Sequence, residues 1–334
     1  MGRMAKKHMS RGKIAAIVLA VVVALLVTGL GFAGNFLFDF ALNPHASYTM
    51  KDMTDAGEVS GLDKPKNNDA AYSKEAKAWF AANKVQIERT GEDGTALSGW
   101  AFDQPAASSS HDYAVVLHGY TGQPSDMAKY AYHFYQRGMN VLTPAARAHE
   151  NSGGDYIGMG WPERRDVVGW IKDIVKRDPQ SRILVFGVSM GGATAMMVSG
   201  EEDLPANVTC IIEDCGYSSV WDEFAMQLDN VFGLPSFPLL DAANVVANIR
   251  AGYDFHQASA VEQLKHAKVP MLFIHGDKDT FVPYGMLDTV YGACASPVKE
   301  KLVVKGAPHG GSCSTDPNLY WSTVDGFLDE HYFK

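Results

Sequence analysis

The stretch Ile183-Leu-Val-Phe-Gly-Val-Ser-Met-Gly-Gly192 joins an apolar run, a glycine-rich turn and the start of a run of small residues. Residues 183–186 are predicted to form a short buried strand, and residues 192–199 to form a helix. Because the two glycines that flank the turn have no Cβ, the strand and the helix can approach closely around Ser189. The pattern Gly-x-Ser-x-Gly in this context predicts a nucleophile elbow, although the same letters also occur in ordinary glycine-rich turns.

Strands and helices alternate along most of the chain. The predicted strands are residues 85–89, 97–102, 113–117, 140–143, 183–186, 209–213, 271–274 and 301–304, and the predicted helices are residues 69–83, 125–137, 162–177, 191–199, 284–291 and 317–331. The first two strands read as a hairpin. The pattern predicts an α/β fold with a mostly parallel central sheet that carries helices on both faces. Reacting groups in such sheets collect beyond the carboxyl ends of the strands.

One loop at that edge is predicted to bind an oxyanion. The sequence His118-Gly-Tyr-Thr-Gly122 follows a predicted strand, and its glycines let backbone N–H groups face a pocket. We expect the backbone N–H groups of Tyr120 and Met190 to form an oxyanion hole, because two prepositioned donors stabilise the oxyanion of an acyl-transfer reaction. Taken alone, the first two residues of the loop would be an ordinary strand-ending turn.

Two later loops supply an acid and a histidine. The loop His275-Gly-Asp-Lys-Asp-Thr-Phe-Val-Pro283 offers Asp277 and Asp279, and the loop Gly306-Ala-Pro-His-Gly-Gly311 carries His309. We favour Asp279 as the residue that orients the histidine, because it lies further out and the apolar Phe-Val-Pro that follows would hold it in place. The other aspartate suits a solvated turn.

From about residue 85 to its end, the chain resembles an α/β-hydrolase-fold serine hydrolase. It resembles in particular the exported esterase- and peptidase-like branch of Gram-positive bacteria, which is related to the prolyl-oligopeptidase superfamily. The likeness is carried by residues 187–192, 118–122, 275–279 and 309–310, and by Asp155-Tyr-Ile-Gly-Met-Gly-Trp161 with Arg164 and Asp166. The resemblance implies a catalytic triad of Ser189, Asp279 and His309, in that order along the chain. Arg147-Ala148-His149 departs from the Arg-Gly-His often found in the family, but this difference lies outside the triad.

The predicted function is the hydrolysis of carboxylic esters with small or medium, apolar or aromatic acyl groups through an acyl-enzyme. We expect a small-molecule ester or peptide as substrate, and we expect neither a metal nor an organic cofactor, since no His/Cys cluster has metal-ligand spacing.

A peptidase or amidase on the same triad is an alternative. A prolyl-oligopeptidase-like peptidase usually carries a propeller, for which too few residues precede residue 85. A catalytically silent cell-surface binding module is a further alternative, which the complete triad disfavours.

A long insertion between the strands at residues 209–213 and 271–274 is rich in aromatic residues. We interpret residues 217–262, approximately, as a small helical cap over the active site. Trp161, Tyr217 and Trp221 are candidates for lining the substrate pocket. The alternative is that the aromatic residues of the cap pack only against one another.

The N-terminal segment is predicted to cross a membrane. Residues 1–13 carry five basic side chains, and residues 14–38 carry no charge. At 1.5 Å per residue, this apolar run spans a hydrocarbon core of about 30 Å. We predict a cytoplasmic tail (1–13), a single transmembrane anchor (14–38), a linker (39–68) and an extracellular α/β-hydrolase domain (69–334), because basic residues stay on the cytoplasmic side. The alternative is a cleaved signal peptide and a secreted domain.

Charge and cysteine content fit an exported domain. Without the five N-terminal cations, 24 Lys and Arg remain against 38 Asp and Glu, which is a net charge of −14. We therefore expect no binding to nucleic acid. Disulfides form in exported proteins, and Cys294 and Cys313 both lie in late loops. We expect a bridge between them that would brace the loop of His309.

Overall fold

The computed structural model describes residues 9–106 and 110–334. The predicted cytoplasmic tail therefore lies mostly outside the described residues, including the basic side chains at positions 3, 6 and 7. Within the described ranges, one helix is long and apolar enough to cross a membrane, with a mean hydropathy of 2.8 over its most apolar window.

A mixed sheet of eight strands forms the centre of the domain. The strands are β1 (Val85–Thr90), β2 (Ala96–Phe102), β3 (Asp112–Leu117), β4 (Asn140–Pro144), β5 (Arg182–Val188), β6 (Val208–Asp214), β7 (Met271–Gly276) and β8 (Lys299–Val304). Their order across the sheet is β1-β2-β4-β3-β5-β6-β7-β8. Strands β3 to β8 pair in parallel, and β2 runs antiparallel to both of its neighbours. The prediction of a hairpin that leads into a mostly parallel sheet is confirmed.

Twelve helices accompany the sheet in the described part of the chain. They are α1 (Arg11–Leu42), α2 (Met50–Ala56), α3 (Ala70–Asn83), α4 (Ala128–Gln136), α5 (Trp161–Arg177), α6 (Met190–Val198), α7 (Val220–Phe232), α8 (Ser236–Arg250), α9 (Ala260–Leu264), α10 (Gly285–Ala293), α11 (Ser312–Thr315) and α12 (Pro317–His331). Side chains of α5, α6 and α10 join the core on one face of the sheet, and side chains of α3, α4 and α12 join the core on the other. The strands alternate between the two cores, as expected for a sheet that is buried on both faces.

The predicted cap is present as helices α7, α8 and α9, which lie between β6 and β7. Its aromatic side chains are partly internal: Tyr253 and Phe255 are buried, and Phe224 packs edge-on against Phe255 at 5.0 Å between ring centroids. The cap joins the core on the face of the sheet that is covered by α5 and α6.

The apolar N-terminal helix does not end where the sequence suggested. It continues to Leu42, and Phe38, Phe40 and Leu42 are buried. The helix therefore runs four residues past the predicted end of the anchor, and the segment 39–68 is not a simple linker, because helix α2 lies within it and Met50 is buried in the same core. The cause is the packing of these apolar side chains against the cap.

Close packing between α1 and α8 depends on one glycine. A Cβ placed on Gly34 would lie 2.6 Å from the backbone carbonyl carbon and oxygen of Ala242, which is too short for any real contact. By contrast, a Cβ on Gly29 or Gly31 of the same helix would meet nothing within 4 Å. The glycine at position 34 therefore lets the two helix backbones approach each other.

We predict that Gly34→Ala destabilises the protein and that Gly31→Ala does not. Alanine favours a helix by about 1 kcal/mol over glycine, but forced separation of packed helices costs about 1–3 kcal/mol. The thermal unfolding midpoint of the full chain in detergent should therefore fall for Gly34→Ala and stay equal or rise for Gly31→Ala. Equal shifts in the two variants would contradict the packing described here.

Candidate active site

Ser189 lies in a tight turn between β5 and α6, with φ 58° and ψ −120°. Positive φ is costly for a residue with a side chain, so the surrounding structure has to enforce it. Its backbone N–H donates a hydrogen bond to the carbonyl of Asp214 at 2.8 Å. A Cβ on Gly187 would come within 2.0 Å of the carbonyl oxygen of Gly191, and a Cβ on Gly191 within 2.2 Å of that of Leu117. Both glycines of the pattern are therefore required by close backbone contacts.

The structure brings Ser189, His309 and Asp279 into one hydrogen-bonded line. The Nε2 atom of His309 lies 2.8 Å from Ser189 Oγ, and its Nδ1 atom lies 2.7 Å from Asp279 Oδ2. Asp279 is buried, whereas the serine and the histidine are half-buried, and Ser189 lines a pocket. The three loops predicted to carry these residues meet above the carboxyl ends of β5, β7 and β8.

The carboxylate of Asp279 is fixed by three further groups. Its Oδ1 atom accepts hydrogen bonds from the backbone N–H groups of Phe281 at 3.0 Å and Val282 at 2.9 Å. The Nε2 atom of buried His275 lies 3.2 Å from Oδ2. Although burial favours the neutral acid, hydrogen bonds from His275 and His309 keep the pKa of Asp279 below its ordinary value. His275 lies in the loop that carries both candidate acids, but no sequence pattern indicated that it would bind the acid.

Asp277, the other candidate acid, has a different role. Its Oδ1 atom accepts a hydrogen bond from the backbone N–H of Gly306 at 2.6 Å, and its own N–H donates to the carbonyl of Val304. It therefore ties the turn after β7 to the loop after β8. The geometry therefore supports the interpretation of Asp277 as a turn residue.

The two candidate oxyanion donors lie beside Ser189. Neither the N–H of Tyr120 nor that of Met190 donates a hydrogen bond to another group among the described residues. A Cβ on Gly119, the residue before Tyr120, would lie 3.4 Å from the Cβ of Ser189, so this loop passes directly over the serine. Both N–H groups are therefore free to bind an oxygen there.

His118 shapes this loop. Its Nε2 atom accepts a hydrogen bond from the backbone N–H of Ala146 at 3.0 Å, so its Nδ1–H donates to the carbonyl of Gly119 at 2.8 Å. Burial, together with the neighbouring His149, lowers the pKa of His118 to about 3. The ring is therefore neutral and acts as a rigid brace for the loop rather than as an acid or base.

An apolar cavity of about 780 Å³, including its mouth, opens at Ser189. Most of its lining comes from the cap helices and from the end of α1; the lining residues are Leu37, Phe38, Phe40, Ala41, Leu42, Met50, Tyr120, Met159, Ser189, Tyr217, Glu223, Phe224, Gln227, Leu228, Val231, Phe232, Leu240, Ala243, Phe255, Phe281 and Val282. Sequence reasoning missed the contribution of α1, because hydropathy alone marks α1 as a membrane helix.

Only one of the three predicted lining residues contacts this cavity. Tyr217 lines it and donates its hydroxyl to the carbonyl of Met159 at 2.9 Å. Trp161 instead lies under the guanidinium of Arg164, 3.3 Å from the ring centroid, and Trp221 stacks on His256 at 3.7 Å. The prediction is wrong for both tryptophans, because these cationic and aromatic partners hold them outside the cavity.

The loop of residues 118–122 is bonded to the end of α1. The hydroxyl of Tyr120 donates to the carbonyl of Ala41 at 2.5 Å, and the backbone N–H of Ile157 donates to the carbonyl of Leu42 at 2.9 Å. These bonds satisfy carbonyl groups that the end of a helix leaves without partners. The N-terminal helix is thus part of the site's framework.

Two polar side chains interrupt the apolar lining. Gln227 donates to Glu223 Oε1 at 2.9 Å and to the carbonyl of Phe281 at 2.8 Å, while Glu223 Oε2 and Gln227 Oε1 have no hydrogen-bond partner among the described residues. Burial raises the pKa of Glu223 to about 8. At neutral pH this carboxyl is therefore mostly protonated, and it adds no full charge to the cavity.

The cysteines do not form the predicted bridge. All four are free and buried. Cys294 belongs to the core on one face of the sheet and Cys313 to the core on the other, so the sheet separates the two thiols. The disulfide prediction is therefore wrong, because a late position in the chain does not reveal which face a loop packs on.

A third thiol, Cys215, lies within 4.8 Å of donor atoms of Asp279 and His309, and burial raises its pKa well above the ordinary value.

Comparisons with known proteins agree with this architecture. The model of the prolyl oligopeptidase family matches residues 125–332. The esterase Pf2001 of Pyrococcus furiosus superposes with a TM-score of 0.60 at 26% identity, over 75% of this chain and 91% of that one. An acylaminoacyl peptidase of Pyrococcus horikoshii superposes with a TM-score of 0.57 at 17% identity, over 75% of this chain and 42% of that one. The uncharacterized protein YqkD of Bacillus subtilis is 29% identical over 64% of this chain and 70% of its own length.

The fold and its relatives define the class: this is a hydrolase of the α/β-hydrolase fold, with esterases and peptidases as its structural neighbours. Within that class, the chain belongs to the prolyl oligopeptidase family, whose model covers well over half of it.

We predict that Glu223→Gln flattens the dependence of stability on pH. The pKa of this carboxyl is raised from 4.5 to about 8, so the folded state holds the proton more tightly than the unfolded state. The stabilisation is complete below about pH 4.5 and is lost as pH rises towards 8, by up to about 1.4 kcal/mol per pH unit. Denaturant unfolding of the full chain in detergent between pH 5 and 8 should show a smaller loss for the variant. Parallel curves would contradict the prediction.

Proposed function

We propose that this hydrolase cleaves carboxylic esters with Ser189 as nucleophile, His309 as general base and Asp279 as the acid that orients it. The observation that carries the proposal is the unbroken hydrogen-bonded line from the serine hydroxyl through the imidazole to the buried carboxylate, at 2.8 and 2.7 Å. The strained elbow supports it, because such strain clusters at functional sites.

The proposed mechanism has two acyl-transfer steps. Ser189 attacks the ester carbonyl while His309 accepts its proton, and the N–H groups of Tyr120 and Met190 stabilise the oxyanion. His309 then gives the proton to the leaving alcohol, and an acyl-enzyme remains. Water attacks the acyl-enzyme with His309 as base, which releases the carboxylic acid and restores the serine. Asp279 keeps the proton of the imidazole on Nδ1 and stabilises the imidazolium.

An ester substrate is favoured over a peptide by the cavity next to Ser189. Its lining is apolar apart from a few polar groups, which suits an acyl group better than a peptide with many hydrogen-bonding groups. The 26% identity to a protein described as an esterase supports the same choice. A peptidase is the second candidate, because the buried carboxyl of Glu223 has an unpartnered oxygen that could accept a bond from a substrate amine.

We propose further that α1 anchors the enzyme in a membrane with the catalytic domain outside. Arg11 and Lys13 mark the cytoplasmic end of the helix by the positive-inside rule. A cleaved signal peptide is disfavoured, since residues 38, 40 and 42 at the end of α1 are buried and line the cavity. Cleavage within α1 would remove this part of the cavity wall or separate it from the helix that holds it in place.

Asp279→Asn should lower kcat for ester hydrolysis by about 10⁴-fold, because asparagine holds His309 in the wrong tautomer. Asp277→Asn is the matched control two positions away, and it should stay within about tenfold of the wild type, since asparagine can still accept the N–H of Gly306. Steady-state kinetics on p-nitrophenyl butyrate measure both. A larger loss in Asp277→Asn would reverse the assignment of the acid.

Labelling by an alkyl fluorophosphonate should be lost in Ser189→Ala and kept in Ser218→Ala, which changes a buried serine of the same domain. The probe reacts only with an activated serine. Persistent labelling of Ser189→Ala would refute the assignment of Ser189 as the nucleophile.

A panel of p-nitrophenyl esters against peptide p-nitroanilides then separates the two candidate functions, and we expect kcat/KM to be higher for the esters.

A further inference from the structure

The wall of the cavity that lies against Ser189 is partly made by α1. Leu37, Phe38, Phe40, Ala41 and Leu42 all line the cavity. The same helix carries the uncharged run that is long enough to cross a bilayer. The same helix therefore carries both the candidate membrane span and part of the wall beside the serine.

The cap adds exposed apolar side chains next to this helix. After α1 in the described chain, the exposed large apolar side chains are Tyr48, Val85, Leu234, Phe237, Val245, Ile249 and Leu319. Four of these seven belong to the turn between α7 and α8 or to α8. Phe237 is 76% exposed and Ile249 is 79% exposed. Exposed apolar side chains that cluster on one element mark an interaction surface. We call residues 234–249 the cap hairpin surface.

The cap hairpin surface lies at the level where α1 would leave the bilayer. Gly34 of α1 contacts Ala242 of α8, and Phe36 of α1 contacts Phe232 of α7, with 6.4 Å between ring centroids. These α1 residues fall in the last part of the uncharged run 14–38. The hairpin is therefore placed beside the outer end of the membrane span.

Polar groups are interspersed with these apolar side chains. Arg250, at the end of α8, bonds to Asp39 at 2.9 Å and to Asn35 at 2.7 Å. Asp241 and Asn248 are the exposed polar residues among the apolar ones on α8. The exposed face of α8 is therefore mainly apolar, with Arg250 at its polar end.

We infer that the cavity is filled from the membrane: the substrate is an ester whose long acyl chain lies in the outer leaflet and slides along α1 to Ser189, while the cap hairpin surface rests on the lipid. The inference rests on the function proposed above and specifies its substrate class.

The chemistry is unchanged acyl transfer. The bond between the acyl carbon and the alcohol oxygen breaks, the acyl group passes to Ser189 Oγ, and the alcohol leaves with the proton carried by His309. Water then releases a long-chain carboxylic acid, which can return to the bilayer. The uncharged lining supports this substrate class, since each methylene moved from water into an apolar cavity improves binding about fourfold.

The test uses the full chain reconstituted into phosphatidylcholine–phosphatidylglycerol vesicles. The rate on p-nitrophenyl palmitate in the bilayer is divided by the rate of the same preparation on soluble p-nitrophenyl butyrate, so that a loss of folded enzyme cancels. The double variant Phe237→Ser/Ile249→Ser removes apolar area from the cap hairpin surface. The matched control, Val85→Ser/Leu319→Ser, removes exposed apolar side chains from β1 and α12, which contribute no residue to the cavity.

We expect the palmitate-to-butyrate ratio to fall at least fivefold in Phe237→Ser/Ile249→Ser and to stay unchanged in the control. Leu37→Asn, which makes the α1 wall polar, should also lower the ratio.

Butyrate hydrolysis without palmitate hydrolysis by the wild type, or an unchanged ratio in both test variants, would overturn the inference and leave the proposed esterase intact. A changed oligomeric state of the double variant in detergent would assign the surface to a second copy of the chain and would also overturn it. Failure on butyrate together with failed Ser189 labelling would refute the proposed function itself.

Discussion

The close approach of β5 and α6 around Ser189 is the constraint on which the rest of the site depends. The surrounding backbone leaves no room for a Cβ at the two positions that flank the serine. The turn is therefore possible only because both positions are glycine. Once the serine is held at positive φ, its hydroxyl stands where the loops after β7 and β8 can bring Asp279 and His309 into line. A site of this kind requires a rigid parallel sheet, since its three side chains come from positions that are far apart along the chain.

The second organising feature is the end of α1, which joins the candidate membrane span to the site. The backbone N–H of Tyr120 has no hydrogen-bond partner in the described part of the chain, and its side chain bonds to the carbonyl of Ala41. The same helix turn supplies part of the cavity wall. Removal of α1 would therefore change the loop of residues 118–122 and the cavity together. This dual role explains why the segment after the apolar run is packed rather than extended.

Sequence patterns predicted most of the fold, because apolar periodicity and glycine turns report local structure directly. They also located Ser189, Asp279 and His309, since each follows a strand whose end has to lie at the same edge of the sheet. They could not tell which way a side chain points or what covers it. Trp161 was therefore placed in the pocket wrongly, and Cys294 was paired across a sheet that separates it from its supposed partner. Contacts between distant segments, such as α1 with the cap, leave no local signal.

The most direct test of the account is a structure of the full chain after reaction with a long-chain alkyl fluorophosphonate. The account predicts phosphorus bonded to Ser189 Oγ, the phosphoryl oxygen about 2.7–3.1 Å from the backbone nitrogens of Tyr120 and Met190, and the alkyl chain in the cavity beside α1. A phosphoryl oxygen bound elsewhere, or an adduct on any other residue, would contradict it.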